Sequence, residues 1–237
     1  MSLLGGHGKD TRMLGHRMLA VVVLSVSMAS YLGCSDDSCS EGSEDGLFYD
    51  PPPACPMGKS YSDWTALWWK YSLEFQCSDG KCTNHPGNDA TGERCADGQN
   101  REDVFFLLGN GEGEHTRKSC VVPAGRAILL AMVNISCTAP EYGPTLEAVR
   151  ESCRNPADST TMLDISVDGE TVEDPFDYRV QTDVFPAEYP DPNVYGKSPG
   201  YHEINVSDGY WVMIRPLSPG PHTIRYGGNL PSLAWST

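Results

Sequence analysis

The chain has 237 residues and a formal net charge of −15, with 32 acidic residues against 17 basic ones. This excess of negative charge argues against nucleic acid as a partner and against binding of anionic lipid through the protein surface, because both are polyanions. The nine cysteines predict an oxidising compartment with disulfides.

The first 33 residues have the three zones of a secretory signal peptide. A basic start is followed by a short apolar run, Met18 to Leu24, and by small residues that lead to Cys34. This run is far shorter than the ~20 residues that a membrane-spanning helix needs. We therefore predict export, with residues 1–33 as the signal peptide.

Cys34 is the predicted site of a membrane anchor. Leu32-Gly33-Cys34 resembles the lipobox of bacterial lipoproteins, in which the cysteine is diacylated and becomes the new N-terminus. Lipidation would also leave an even number of cysteines for disulfides. The alternative is cleavage after Ala29, which would release a soluble protein. We predict an outer-membrane lipoprotein, facing the periplasm or the outside, that touches the membrane through this lipid only.

Residues 34–56 are predicted to form an acidic, proline-rich tether. The segment has six acidic residues and no basic one, and it ends near Pro51-Pro52-Pro53. Such a composition favours an extended chain over a folded one. Removal of residues 1–33 takes away three basic residues and one acidic residue, so the mature chain has a net charge of −17. Residues 57–237 are then long enough for one domain with a hydrophobic core.

The eight cysteines after Cys34 predict four disulfides, each worth ~2–4 kcal/mol. Nearest-neighbour pairing would join Cys77 to Cys82, Cys95 to Cys120 and Cys137 to Cys153, and would leave Cys39 and Cys55. The alternative is a metal site made by Cys77 and Cys82 with His85. Zinc knuckles usually have a tighter Cys-x-x-Cys spacing.

Two helices are predicted. Large apolar residues recur at helical spacing from Trp64 to Phe75, at positions 64, 67, 68, 71 and 75, and Ser60 or Ser62 can cap this helix. Such a tryptophan stripe could bind a ligand, but it more often packs on a sheet, which is the interpretation we favour. A second, shorter helix is predicted from Pro144 to Cys153.

Short strands dominate the rest of the chain. They are predicted at 104–108, 120–122, 127–135, 163–167, 171–172, 178–180, 204–206, 210–214 and 223–226, with a turn at Asp168-Gly169. Many short strands joined by Gly and Pro turns indicate a mainly β fold. We predict an antiparallel β-sandwich or jelly roll with one Trp-rich helix and a second short helix.

Several segments together resemble a known group of proteins. They include Trp68-Trp69, Asn84-His85-Pro86, Val104 to Gly109, Arg117 to Gly125 and Leu217 to Arg225. In this order they resemble a largely uncharacterised group of exported bacterial β-rich proteins with a Trp-rich helix ahead of the sheet. The resemblance covers most of residues 61–228. It implies export and a β-rich fold, and it implies no activity.

One loop is a candidate calcium site. Asp89, Thr91, Glu93 and Asp97 lie close together in sequence, in a cysteine-bounded segment with several glycines. Oxygen ligands on a flexible loop are what Ca²⁺ prefers, although their order differs from that of an EF-hand. A structural calcium ion is the one cofactor that the sequence suggests.

Function is predicted less directly. We expect a non-catalytic binding or structural module of the cell envelope, with a glycan or a protein as the partner. Exposed aromatic residues would make the contact, and the candidates are Tyr189, Tyr195, Tyr201 and Tyr210. The alternative is an envelope hydrolase with a loop-borne site. It would use a metal ion, or Ser198 of Gly196-Lys197-Ser198-Pro199-Gly200 with Asp208 and His222.

Overall fold

The structure is a computed structural model that describes residues 39–40, 42–111 and 113–231. Its helices are α1 (Tyr61–Leu73) and α2 (Leu146–Asp158). Its strands are β1 (Val104–Leu107), β2 (Ala127–Thr138), β3 (Leu163–Val167), β4 (Glu170–Thr171), β5 (Arg179–Gln181), β6 (Phe185–Tyr189), β7 (Gly200–Ile214) and β8 (Ile224–Gly228). The fold is mainly β, as the sequence predicts.

The strands form two sheets. The first has the order β1-β2-β7-β5, with β6 also paired to β7, and the second has the order β4-β3-β8. All pairs are antiparallel except β1 with β2, which run parallel. The antiparallel prediction is therefore wrong for this pair. Residues 108–126 lead the chain back to the same end of the sheet, and a connection of this length is what a parallel pair requires.

Strand β7 is longer than predicted. The two expected strands at 204–206 and 210–214 belong to one continuous strand, Gly200–Ile214. Gly209 does not interrupt this strand, although glycine usually weakens one. A Cβ atom at this position would lie 2.4 Å from the carbonyl oxygen of Val133 on β2, so the close approach of the two strands requires glycine.

Helix α1 packs its tryptophans inward. Ser60 is the N-cap, and its side chain accepts a hydrogen bond from the Asp63 N–H. Trp64, Trp68 and Trp69 are all buried. Each indole N–H also has an acceptor: the carbonyl oxygens of Pro56 and Leu107 and the hydroxyl of Ser207 on β7. The stripe is core, and it adds Trp69, which the helical spacing alone had not included.

Helix α2 lies on β2 and β7, where it forms a second small core. It begins at Leu146 after the N-cap Thr145, and it runs to Asp158, five residues beyond the predicted end, through Pro156. Val149 and Cys153 pack on Ile135, Cys137 and Val206. The Cys137–Cys153 disulfide joins the helix covalently to β2.

The second half of the predicted tether belongs to the folded domain. The Tyr49 N–H donates to the Met213 carbonyl at 2.9 Å, and the Arg215 N–H donates to the Leu47 carbonyl at 2.9 Å. The Arg215 guanidinium also lies 4.1 Å from the centre of the Tyr49 ring. The prediction of an extended tether to residue 56 is wrong for residues 47–56. Leu47, Phe48 and Tyr49 interrupt the acidic run with apolar surface that packs against the main core.

The predicted strand at Cys120-Val121-Val122 is absent from both sheets. The Lys118 and Ser119 N–H groups both donate to the Thr91 carbonyl, and Cys120 is bonded to Cys95. These contacts hold the segment against the loop of residues 91–95. Val121 remains exposed.

A side chain occupies the free edge of β1. The amide of Gln99 accepts a hydrogen bond from the Phe106 N–H at 3.1 Å and donates one to the Phe106 carbonyl at 2.8 Å. It makes the two bonds that a neighbouring strand would make at this position. The backbone groups of Phe106 are thereby satisfied without another strand.

We expect Gln99→Ala to reduce the free energy of unfolding by about 1–3 kcal/mol, because it leaves both Phe106 groups without partners. Gln99→Glu should cost at least as much, because the carboxylate still accepts from the Phe106 N–H but places its second oxygen against the Phe106 carbonyl oxygen, which needs a donor. Urea unfolding would measure both changes. The control is Glu170→Ala on the exposed strand β4, for which a change of less than ~0.5 kcal/mol is expected. Equal losses for Gln99→Ala and Glu170→Ala would contradict the role of Gln99.

The disulfides Cys39–Cys55 and Cys137–Cys153 each close a span of 16 residues. Loop entropy alone assigns each about 3 kcal/mol. Replacing Cys137 and Cys153 by Ala should destabilise the protein more, because both are fully buried between α2 and β2, whereas Cys39 is exposed. Urea unfolding of the two double variants compares them directly. Equal losses would show that packing around Cys137–Cys153 contributes nothing.

Candidate functional site

The cysteines of the structure form four disulfides. They are Cys39–Cys55, Cys77–Cys82, Cys95–Cys120 and Cys137–Cys153, which include the three nearest-neighbour pairs given above. Four disulfides in one chain indicate an oxidising, exported environment. Cys34 lies outside the described residues. Within the described ranges, no helix is long and apolar enough to cross a membrane.

The proposed zinc alternative at Cys77 and Cys82 is wrong in this structure, because the two sulfurs are bonded to each other. His85 is buried, and both of its ring nitrogens have partners. Nδ1 accepts from the Gly87 N–H at 3.0 Å, and Nε2 lies 3.1 Å from the Ser72 carbonyl, to which it donates. Burial lowers the pKa of His85, against the opposing effect of the Ser72 carbonyl. His85 is a neutral core histidine.

The candidate calcium loop is organised around Asp89 by hydrogen bonds. One carboxylate oxygen accepts from the Thr91 N–H, the Thr91 hydroxyl and the Gly92 N–H, each at 3.0 Å. The other accepts from the Arg94 N–H at 2.8 Å. Burial raises the pKa of Asp89, but these bonds outweigh it and bring the pKa below its usual value. Four donors thus surround the carboxylate that was expected to face a cation.

The other expected calcium ligands do not join Asp89 and Thr91. Asp97 pairs with Arg94 at 3.4 Å, and Glu93 is exposed. In the described part of the chain, no group of three or more His, Cys, Asp or Glu side chains is placed to hold a metal ion. The loop is shaped by Asp89 acting on its own backbone, which is a common arrangement for aspartate in turns.

Two of the four candidate contact tyrosines are part of the core. Tyr189 is 2% exposed, and its hydroxyl donates to Asn205 Oδ1 at 2.7 Å. Tyr210 is 5% exposed, and its ring packs edge-on against Phe176. The prediction that these two contact a ligand is wrong. Both lie on strands of the first sheet, β6 and β7. The sequence did not show which face of that sheet packs against the core.

Tyr195 is only partly available. The residue is 37% exposed, but its hydroxyl lies 2.5 Å from that of Ser72 on α1. The ring also leans on Trp69, with the two centres 5.9 Å apart. Burial raises the pKa of Tyr195 to about 12. Tyr195 therefore fixes the loop after β6 to helix α1, and it is less exposed than Tyr201.

Of the four candidate tyrosines, Tyr201 is the most exposed to solvent. Its side chain is 63% exposed. It lies on β7 directly opposite Glu188 of β6, so the two side chains are on the same face of the sheet. Glu203 is also exposed, two residues along β7, where the β6–β7 pairing shifts register. We call these three residues the Tyr201 face.

The hydrolase residues are not brought together as predicted. The Ser198 carbonyl lies 2.9 Å from His202 Nε2, and the structure records no contact between Ser198 and His222. Asp208 is buried on β7 and accepts hydrogen bonds from Arg179 and Gln181. Burial raises the pKa of Asp208, and the guanidinium of Arg179 opposes that effect. Asp208 thus serves a buried ion pair.

His222 instead meets a different serine and aspartate. Its Nδ1 lies 2.7 Å from Asp168 Oδ2, and its Nε2 lies 3.5 Å from the Ser218 hydroxyl. This resembles a catalytic triad in composition. However, Nε2 is only 2.7 Å from the carbonyl oxygen of Ser218, so it must donate there. A nitrogen that donates cannot also take the proton of a serine hydroxyl. The group closes the Ser218 to His222 loop onto the β3–β4 turn.

Patterns in the sequence did not indicate the partners of the candidate residues, which are Glu188, Glu203, Asp168 and Arg179. Glu188 lies on β6, which was not predicted, since proline is uncommon inside a strand. The alternation of buried and exposed residues from Phe185 to Tyr189 is the signal that could have revealed it. Asp168 was assigned only to the turn before β4.

The described residues thus define a mainly β, disulfide-linked domain with one open aromatic and acidic face. Comparison of the chain with protein-family models, with characterised proteins and with solved structures finds no match. The Tyr201 face is therefore interpreted from its own chemistry.

The two histidines should give stability contributions with opposite pH dependence. The hydrogen bond that His222 donates to the Asp168 carboxylate, and then the one that it donates to the Ser218 carbonyl, raise the pKa of His222. Its contribution is therefore complete below about pH 6.5, its value in an unfolded chain, and is lost as pH rises through the folded pKa. The pKa of His85 is lowered, so its contribution is complete above about pH 6.5 and is lost as pH falls below that value.

Urea unfolding at pH 5, 6, 7 and 8 would test this. We expect the loss caused by His222→Gln to be larger at pH 5 than at pH 8, and the loss caused by His85→Gln to be larger at pH 8. Asp168→Asn should reduce the pH dependence attributed to His222, because only the Ser218 carbonyl then still favours the protonated ring. Losses that stay constant with pH for both histidine variants would contradict the assignment.

Proposed function

We propose that this chain is an exported lipoprotein of the bacterial cell envelope. In this proposal it binds a glycan or a protein partner without catalysis, through the Tyr201 face. The observation that carries the proposal is the open ring of Tyr201 next to the carboxylates of Glu188 and Glu203. We assign the domain to antiparallel sandwiches of the jelly-roll type, and to the exported β-rich group that its sequence resembles.

The location rests on two features. The four disulfides are those of a chain that folds in an oxidising compartment. The signal-like start of the sequence ends at Cys34, and lipidation of Cys34 leaves every remaining cysteine paired. A lipid on the new N-terminus would place the folded domain close to the membrane, since packing begins by residue 47.

The Tyr201 face has the parts of a recognition surface. A tyrosine ring offers a rigid apolar platform at a low cost in side-chain entropy. Carboxylates beside it can accept hydrogen bonds from hydroxyl or amino groups. The face is held by backbone pairing of β6 with β7, and α1 supports β6 through a hydrogen bond from Lys70 to the Pro186 carbonyl at 2.8 Å. A ligand would therefore meet a surface that is already formed.

A thermal-melt panel tests the binding proposal. The mature chain with Cys34→Ser would be melted with a set of envelope glycans, and with Ca²⁺ and Zn²⁺ for comparison. A glycan at 100 times its dissociation constant should add ~2.7 kcal/mol, which is roughly 5–11 °C for a domain of this size. The shift should disappear in Tyr201→Ala and persist in Phe176→Ala, which removes another exposed ring. A shift that survives Tyr201→Ala would place the site elsewhere.

Fatty-acid labelling tests the anchor. Cells that express the full chain would be grown with an alkyne-tagged fatty acid, and the protein would be isolated and assayed for the tag. We expect label on the wild type, which should separate with membranes, and no label on Cys34→Ser. A wild-type chain without label would favour plain secretion after cleavage near Ala29.

A further inference from the structure

We infer that one end of the domain, residues 53–59 with Met57 and Lys59, lies against the headgroups of a zwitterionic lipid surface. We call this part of the domain the Met57 end. The inference rests on the proposed function, because it requires an anchor at Cys34, and it adds a contact beyond the lipid itself. It follows from the Cys39–Cys55 disulfide, from the reach of the chain before it and from the side chains exposed at this end.

The Cys39–Cys55 disulfide leaves little free chain between the anchor and the domain. The Cα atoms of the two cysteines are 5.4 Å apart. From Cys34 to Cys39 the chain spans at most about 17 Å, even when fully extended. If the chain were free as far as residue 47, the same limit would be about 45 Å. The disulfide therefore ties the anchor to the Met57 end by a short path.

This reach is shorter than the domain. A compact domain of about 190 residues is about 40 Å across. With a lipid on Cys34 in the membrane, the side of the domain opposite Cys39 therefore cannot face the surface. A short tether also gives a local concentration of about millimolar order, at which a weak contact is still occupied. The Met57 end is thus held where it can contact lipid.

Met57 is the apolar side chain that this path brings to the surface. It is 43% exposed. Exposure alone does not distinguish it, because other large apolar side chains of the domain are exposed too. Among the exposed apolar residues that the structure describes, Met57 alone lies two positions from a cysteine that is bonded to Cys39. Its distinction is therefore its covalent distance from the anchor.

The backbone at Met57 is unfavourable for a large side chain. Its φ is 54° and its ψ is 31°, in the left-handed region that residues with a Cβ atom adopt at a cost. Met57 belongs to neither of the two hydrophobic cores, so packing inside the domain does not offset this cost. A lipid surface can offset it, because a flexible thioether side chain can enter the boundary between headgroups and acyl chains.

The charges near Met57 favour a zwitterionic surface over an anionic one. Lys59 is exposed, and its long side chain can reach a headgroup phosphate. Glu44 is exposed as well, and it lines one cavity together with Met57. Its carboxylate, with that of the exposed Asp45, would be repelled by anionic lipid. A headgroup with both an ammonium and a phosphate group can accommodate both signs.

Coupling of the mature chain to vesicles tests the inference without depending on lipidation in the cell. The other eight cysteines are in disulfides, so the Cys34 thiol can be joined to a maleimide-bearing phospholipid in phosphatidylcholine vesicles. The comparison is the same chain with Cys34 blocked by N-ethylmaleimide and mixed with the same vesicles. Chloramine T, a polar oxidant, would convert exposed methionines to sulfoxides, which mass spectrometry counts at each position.

Oxidation of Met57 should slow about threefold or more on coupling, since burial in lipid is favourable for this side chain and excludes the oxidant. Met162 is the matched control, because it is 60% exposed and has no short link to Cys34. Its oxidation should change less than about 1.5-fold. Insertion of about 20 Gly and Ser residues after Ser35 keeps the disulfide but lengthens the tether, and it should remove at least half of the protection of Met57.

Equal oxidation of Met57 in the blocked and coupled chains would overturn the inference. Equal slowing of Met57 and Met162 would also overturn it, because the vesicle would then shield the whole protein. Undiminished protection with the long linker would show that the tether does not set the contact. If the cellular protein has no fatty-acid label but Met57 is protected on vesicles, the proposed anchor fails and the geometry stands. If the label is present and Met57 is unprotected, the anchor stands and this inference fails.

Discussion

Backbone pairing along β7 is the constraint on which the other parts of the domain depend. This 15-residue strand pairs with β2 along one edge and with β5 and β6 along the other. It carries Ser207, which meets α1, and Val206, which meets α2. Tyr201, at its N-terminal end, is held in place by the same ladder. A change that shortened the strand would therefore affect both helices and the open face together.

The disulfides act on a different part of the structure. Each of the four ties a loop or a helix, and together they end at Cys153. The later strands, from β3 to β8, contain no disulfide cysteine and are held mainly by hydrogen bonds and burial. A buried ion pair between Arg179 and Asp208, with Arg179 also bonded to Asp158 of α2, adds a polar link in this region. The disulfides thus fix loops and helices, and one of them ties α2 to β2, whereas β3 to β8 contain no disulfide cysteine.

Local patterns in the sequence predicted the local elements well. The helical spacing from Trp64 to Phe75 and the capping serine predicted α1, and the apolar run at 127–135 predicted β2. The β3–β4 hairpin followed from its Asp-Gly turn. Long-range features were not encoded in such patterns. The parallel pairing of β1 with β2 depends on where a long loop returns, and β6 was hidden by Pro186.

In the candidate site, too, local patterns could be read from the sequence and long-range contacts could not. Tyrosine, glutamate and histidine could be selected as residue types that bind ligands, but their roles depend on neighbours that are distant in sequence. Tyr189 and Tyr201 face opposite sides of the same strand pair, and only the register of β6 on β7 separates a core tyrosine from an open one. Likewise, His222 was expected to serve Ser198, and its partner Asp168 lies 54 residues away.

The contact of Gln99 with β1 bears on whether one copy of the chain can associate with another through this strand edge. An uncovered strand edge invites pairing with the same edge of another molecule, and long, flat, apolar edges are the usual route to aggregation. β1 is wholly apolar, and one amide from its own chain takes the bonds that a second molecule would need. Gln99 therefore leaves the Phe106 N–H and carbonyl with no free bond for the edge of a second copy.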